Sequence, residues 1–193
     1  MKISEKYADY ILEETKKLLE IDSPSGYTKN VAEYVMEEYH KLGYKADMTV
    51  KGGVLVDLGG EDESNAVMLD THIDTLGGMV SEIKADGNLR IVPIGGLNAN
   101  NTEAENVRVV TRDGKIYTGV FQLDNASVHV NKEYSEKKRS FACMEVLLDE
   151  MVSTKEETRK LGIDVGDIVC FDPRTVITPS GYIKSRFLDD KLS

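Results

Sequence analysis

The chain has 193 residues, 40% of them hydrophobic and 30% charged, which is enough to build a core in one domain or two small ones and excludes a chain disordered by composition. Its formal net charge of −10 argues against a nucleic-acid partner, because phosphate binding needs clustered Lys and Arg. No apolar run approaches the roughly 20 residues that cross a bilayer, and the charged N-terminal stretch MKISEKYADYILEETKKLLE lacks the apolar core of a signal peptide. The expectation is therefore a cytoplasmic protein with no membrane partner.

Ile3, Tyr7, Tyr10, Ile11, Leu18 and Leu19 recur at helical spacing and predict an amphipathic helix over residues 4–20. The turn-rich Asp22-Ser-Pro-Ser-Gly26 breaks it. A second helix runs from Thr28, its expected N-cap, through Val31, Val35, Tyr39 and Leu42 to a stop at Gly43. His40, late in that helix, is read as complementing the helix C-terminus. Residues 45–50 and 54–58 form a hairpin pattern around Lys51-Gly52-Gly53, and the apolar run 66–71 predicts a buried strand.

That strand delivers His72-Ile73-Asp74 and then Gly77-Gly78. Side chains two residues apart on a strand point to one side. The imidazole can then bind a metal through one nitrogen while the carboxylate orients the other. The alternative is a hydrogen-bonded structural histidine. A ligand site at the C-terminal end of a buried strand is where α/β sheets place such groups.

Past Gly77 the pattern changes to short strand-like runs at 79–84, 89–94, 107–111, 116–121, 127–130 and 144–148, punctuated by Asp86-Gly87-Asn88, Gly95-Gly96 and Asp113-Gly114. This predicts an antiparallel β unit interrupting an α/β frame. Lys137-Lys138-Arg139 reads as a solvated loop, and Cys143 and Cys170 as buried free thiols. Ser153-Thr-Lys-Glu156 fits a capping box opening a short helix that ends at Gly162, followed by a strand at 168–171. A final strand over 182–188 ends in Asp189-Asp190, whose alternative reading is a solvated turn or a helix N-terminus. A strand-to-helix connection with no helix after it leads us to expect the N-terminal part of a longer protein.

With these pieces in order, the sequence resembles the M42 family of metallo-aminopeptidases. The resemblance runs through Pro24-Ser25-Gly26, His72-Ile73-Asp74, the 144–149 strand, Lys160-Leu-Gly162, Val165-Gly-Asp167, Phe171-Asp172 and Arg186-Phe-Leu-Asp-Asp-Lys191. It implies an α/β catalytic domain interrupted by a small PDZ-like or barrel-like domain: residues 1–76 open the catalytic domain, 77–177 form the inserted oligomerisation domain, and 178–193 return. It further implies two divalent metal ions (zinc or cobalt, with manganese as a further candidate), with His72 as a terminal ligand, Asp189 bridging both ions and Asp74 holding the imidazole as part of the catalytic machinery. Asp190 receives no ligand role, because the family has Asp or Asn there. Thr75 departs from the Glu that many members carry, and His129 is read as a structural or surface residue.

The implied activity is hydrolysis of N-terminal residues from peptide substrates, in a homo-oligomer growing from dimers to a dodecamer. The general-base Glu and the remaining ligands are absent from these residues, so the chain alone is expected to be inactive. Two alternatives stand beside this reading: a non-catalytic oligomerisation or regulatory module, and a hydrolase of the kind labelled endoglucanase. The second needs two opposed carboxylates and no His ligand.

Overall fold

The computed structural model describes residues 3–192; the outermost residues of the sequence-drawn segments, 1, 2 and 193, lie outside the described residues. In chain order the elements are α1 (Ile3–Glu20), α2 (Lys29–Lys41), β1 (Lys45–Met48), β2 (Val54–Asp57), β3 (Gly77–Ile83), β4 (Leu89–Ile94), β5 (Glu105–Val110), β6 (Ile116–Leu123), β7 (Met144–Leu148), α3 (Lys155–Lys160), β8 (Ile168–Phe171), β9 (Val176–Ile177), β10 (Ile183–Lys184) and α4 (Leu188–Lys191). They divide into two compact units. The second is Leu76–Asp172, and the first comprises the chain before and after it. Residues 173–177, drawn with the inserted segment from sequence, group instead with the first unit, because β9 pairs with β10.

The first unit contains α1, α2 and two small hairpins. Leu19, Val31, Ala32 and Ala46 are among its buried apolar side chains. β1 pairs antiparallel with β2, Ala46 opposite Val56. His40 stands in the last turn of α2, as expected, and also reaches beyond it. Its Nε2 lies 3.2 Å from the Ala46 carbonyl and 3.4 Å from the Ala46 amide, so the imidazole meets β1. Thr28 stands at the N-cap of α2, but its side chain makes no capping hydrogen bond.

The second unit closes, among the described residues, into an antiparallel barrel of order β3-β4-β7-β6-β5-β8, with β8 returning to β3. The period-2 pattern does the folding. Val107 and Val109 of β5, Phe121 and Leu123 of β6, Val146 and Leu148 of β7 and Val169 and Phe171 of β8 are all buried. Phe121 meets Phe171 edge-on at 5.6 Å between ring centroids. Asp86-Gly87-Asn88 makes the β3–β4 turn, with the Asn88 amide donating to Asp86 Oδ1 at 3.1 Å. The hydroxyl of Thr158, on α3, donates to the Gly87 carbonyl at 2.8 Å and leaves no room for a side chain there.

Four local expectations change. Residues 127–130 form turns rather than a strand, since no neighbour pairs with them among the described residues. The cap of α3 is shifted by one position: the Thr154 hydroxyl accepts from the Glu157 amide, and Glu157 reaches back to the Ser153 amide at 2.8 Å. Arg139 is not solvated, because its guanidinium grips Glu103 through Nε at 2.7 Å and Nη2 at 3.0 Å and lies over the Tyr134 ring. Cys170 is buried, whereas Cys143 is only half-buried.

Gly119 of β6 sits opposite Leu148, and a Cβ at that position would lie 2.5 Å from the Leu147 carbonyl oxygen. Backbone cannot yield as a side chain does. We therefore expect Gly119→Ala to destabilise the protein by about 1–3 kcal/mol, read as a lower denaturant midpoint with an unchanged slope.

Candidate metal centre

The apolar run leading to His72 is not a buried strand. Val67, Met68 and Leu69 are 86%, 78% and 85% exposed, and among the described residues no strand pairs with them. Hydrophobicity alone cannot make a strand without a neighbouring ladder to take up its amides and carbonyls.

What holds the His72 segment is a short parallel contact just beyond it. The Thr75 amide donates to the Ser23 carbonyl at 2.8 Å, and the Ser25 amide donates to the Thr75 carbonyl at 3.1 Å. Pro24 and Thr75 form the bridge itself, and Ser23, fully buried, donates its hydroxyl to the Ile73 carbonyl at 3.0 Å. A proline suits this position because it withholds no donor that the bridge requires. The Asp22-to-Gly26 break thus forms one wall of the site.

On this support His72 lies between two carboxylates. Its Nδ1 is 3.2 Å from Asp74 Oδ1, and its Nε2 is 3.2 Å from Asp189 Oδ1. The other oxygen of Asp74 accepts the Ser25 hydroxyl. His72 and Asp74 share a side although the segment is extended without being a paired strand.

The acidic pair arrives from the far end of the unit. Phe187 has φ +64°, a left-handed backbone that a bulky residue adopts only where the surroundings impose it, and the short α4 turn follows. Asp190, left without a role by sequence, joins the cluster. Its Oδ2 accepts the Thr71 hydroxyl at 2.7 Å. One ligand atom each from His72, Asp189 and Asp190 lies within 4.8 Å of the others. Lys191 faces the other way and is buried: its ammonium donates to the Leu18 carbonyl at 2.7 Å and the Ile21 carbonyl at 2.9 Å, at the C-terminal end of α1.

Electrostatics follow from this crowding. Desolvation works against the charged imidazole, but a hydrogen bond with the Asp74 backbone and the Asp74 charge, then the charges of Asp189 and Asp190, outweigh it, so the His72 pKa is raised above the ordinary histidine value. An imidazole with a lone pair and two carboxylates form a donor set suited to a borderline divalent cation. His40 bonds to β1, and His129 is exposed in the barrel unit; neither belongs to this cluster. The missed contributors, Ser25, Thr71 and Asp190, had signals in the sequence: a Pro-Ser-Gly turn, a hydroxyl next to the histidine and a doubled acid.

The fold and this cluster have counterparts among known proteins. The family model described as M42 glutamyl aminopeptidase matches residues 52–193. The YhfE protein of Bacillus subtilis (strain 168) is 46% identical over 182 residues, covering 94% of this chain and 53% of that protein. Among solved structures, aminopeptidase APDkam598 from the archaeon Desulfurococcus kamchatkensis superposes with a TM-score of 0.84 at 32% identity, covering 96% of this chain and 49% of that one. The Pyrococcus horikoshii TET1 peptidase, described as assembling into a tetrahedron or a large octahedral shell, gives a TM-score of 0.78 at 25% identity, covering 94% and 52%. The chain therefore spans about half the length of the curated relatives it matches. With the match extending from β2 through the His72, Asp189 and Asp190 cluster, the chain belongs to the M42 glutamyl aminopeptidase family.

Proposed function

We propose that this chain is the N-terminal part of a dinuclear metal-dependent aminopeptidase that removes N-terminal residues from peptides. The observation that carries the reading is the convergence of His72 and Asp189, 3.2 Å apart though 117 positions separate them in the chain. The family membership and the superposition on an archaeal aminopeptidase support it.

In this reading His72 would hold one ion through Nε2, and Asp189 would be shared between the two. Asp74 keeps the proton on Nδ1, which leaves the Nε2 lone pair free. Thr71 holds the Asp190 carboxylate beside the cluster. Two zinc or cobalt ions bound there, with manganese a further candidate, would supply Lewis acidity and an acidified water for attack on a peptide carbonyl. A bridging carboxylate both spaces and neutralises two mutually repelling cations. The general base and the other ligands would come from sequence outside these residues. Glycoside hydrolysis is disfavoured, because it uses two carboxylates separated by about 5 Å or more across the scissile bond, whereas here an imidazole lies between Asp74 and Asp189.

We assign the barrel unit a role in self-assembly. Support comes from the shells described for the Pyrococcus horikoshii relative and from the exposed apolar side chains Val92, Ile116 and Leu147 on the barrel strands.

In the full-length protein, His72→Ala abolishes peptidase activity while circular dichroism stays native. Wild-type turnover of that variant in metal-defined buffer would overturn the assignment. The pH dependence has a definite sign. A protonated imidazole has no lone pair, so zinc affinity falls as pH drops through the raised His72 pKa, at a higher pH than for an ordinary histidine. Asp74→Asn keeps the backbone hydrogen bond but removes the Asp74 charge that helps hold that pKa up, so the NMR titration midpoint of His72 moves down; an unmoved midpoint contradicts a contribution from that charge.

A further inference from the structure

The two ring nitrogens of His72 face equivalent choices. Asp74 Oδ1 lies 3.2 Å from Nδ1, and Asp189 Oδ1 lies 3.2 Å from Nε2. A neutral imidazole carries one proton and can give it to either carboxylate. Only the Nδ1–H form leaves Nε2 free to bind a cation, so something must break the tie.

Distance does not break it, but restraint of the acceptor does. The Asp189 carboxylate is 94% exposed and Asp74 39% exposed. Asp74 is held at both oxygens, with His72 on Oδ1 and the Ser25 hydroxyl on Oδ2. A carboxylate turns easily about its terminal torsion, whose wells are broad and two-fold. Partners on both oxygens fix its plane, and one partner does not. A fixed plane keeps Oδ1 aimed at Nδ1; a turning one loses that bond part of the time to water and to the competing form.

The hydroxyl is separable from the fold around it. Ser25 reaches Asp74 because the bridge between Pro24 and Thr75, the Thr75 amide on the Ser23 carbonyl and the Ser23 hydroxyl on Ile73 align the two segments. None of these contacts uses the Ser25 hydroxyl, and Ser25 itself is exposed.

We propose that Ser25 is a positioning residue that selects the metal-binding tautomer of His72 by clamping Asp74. The inference rests on the metal-site reading above and adds a member that neither the His72-x-Asp74 motif nor the acidic pair contains. Its action is indirect: Ser25 touches neither a cation nor a substrate.

The test uses the full-length protein stripped of metal, in wild-type, Ser25→Ala, Ser25→Thr and His72→Ala forms. Nitrogen-15 spectra report the tautomer directly, and the His72→Ala form identifies the His72 signals by their loss. Zinc titration calorimetry gives affinity, and thermal melting controls for the fold. The expected result is that Ser25→Ala weakens zinc binding by about threefold to tenfold, up to the lower end of the loss seen when a group bonded to the ligand itself is removed. His72 then shows a mixture of tautomers, with the melting midpoint unchanged. Ser25→Thr, which keeps the hydroxyl, restores both affinity and a single Nδ1–H tautomer. Wild-type zinc affinity and a single tautomer in Ser25→Ala, alongside lost binding in His72→Ala, overturn the inference. Undiminished zinc binding in His72→Ala overturns the metal-site reading instead.

Discussion

The short parallel contact between Ser23–Ser25 and Ile73–Thr75 is the constraint on which the candidate centre depends. It consists of two backbone hydrogen bonds and one buried hydroxyl. Through it an extended and largely exposed segment acquires a fixed end. His72 and Asp74 stand within two residues of that end, so their side chains inherit its position. A site held this way needs no long strand of its own, although positions on longer elements are usually more rigid.

The acidic half of the cluster is secured by a different device. Lys191 follows Asp190 directly and buries its ammonium against carbonyls at the end of α1. Burying a lone ammonium would be costly, but helix-terminal carbonyls lack intrahelical partners and carry the negative end of the helix dipole. The ammonium joins the Ile21 amide on the Leu18 carbonyl and adds a charged donor to the Ile21 carbonyl just past the helix. The preceding turn, entered through left-handed Phe187, is fastened to the helix while Asp189 and Asp190 turn towards His72.

Much of the barrel was legible because alternation of buried and exposed residues is a local property. Val107 and Val109, or Phe121 and Leu123, announce one face without knowledge of their partners. The same reasoning failed at Val67-Met68-Leu69, where apolar residues stand exposed, and at 127–130, where a short β-prone run bends into turns. A strand is a relation between two segments, and the sequence of one segment does not reveal whether its neighbour is present. Arg139 shows the complementary limit: its neighbours in the chain are basic and polar, but Glu103 and Tyr134 enclose it from elsewhere.

The amino-acid order alone determined the pairing of His72 with Asp74, since two positions along an extended chain face the same way. It also determined the helical N-terminal segment and the family resemblance. Only the folded chain decided which acid meets the second ring nitrogen, that Asp190 joins the cluster and that Ser25 closes the far side of Asp74. Those contacts span 49 positions or more in sequence, and nothing in local spacing encodes a distance that arises when separate segments pair.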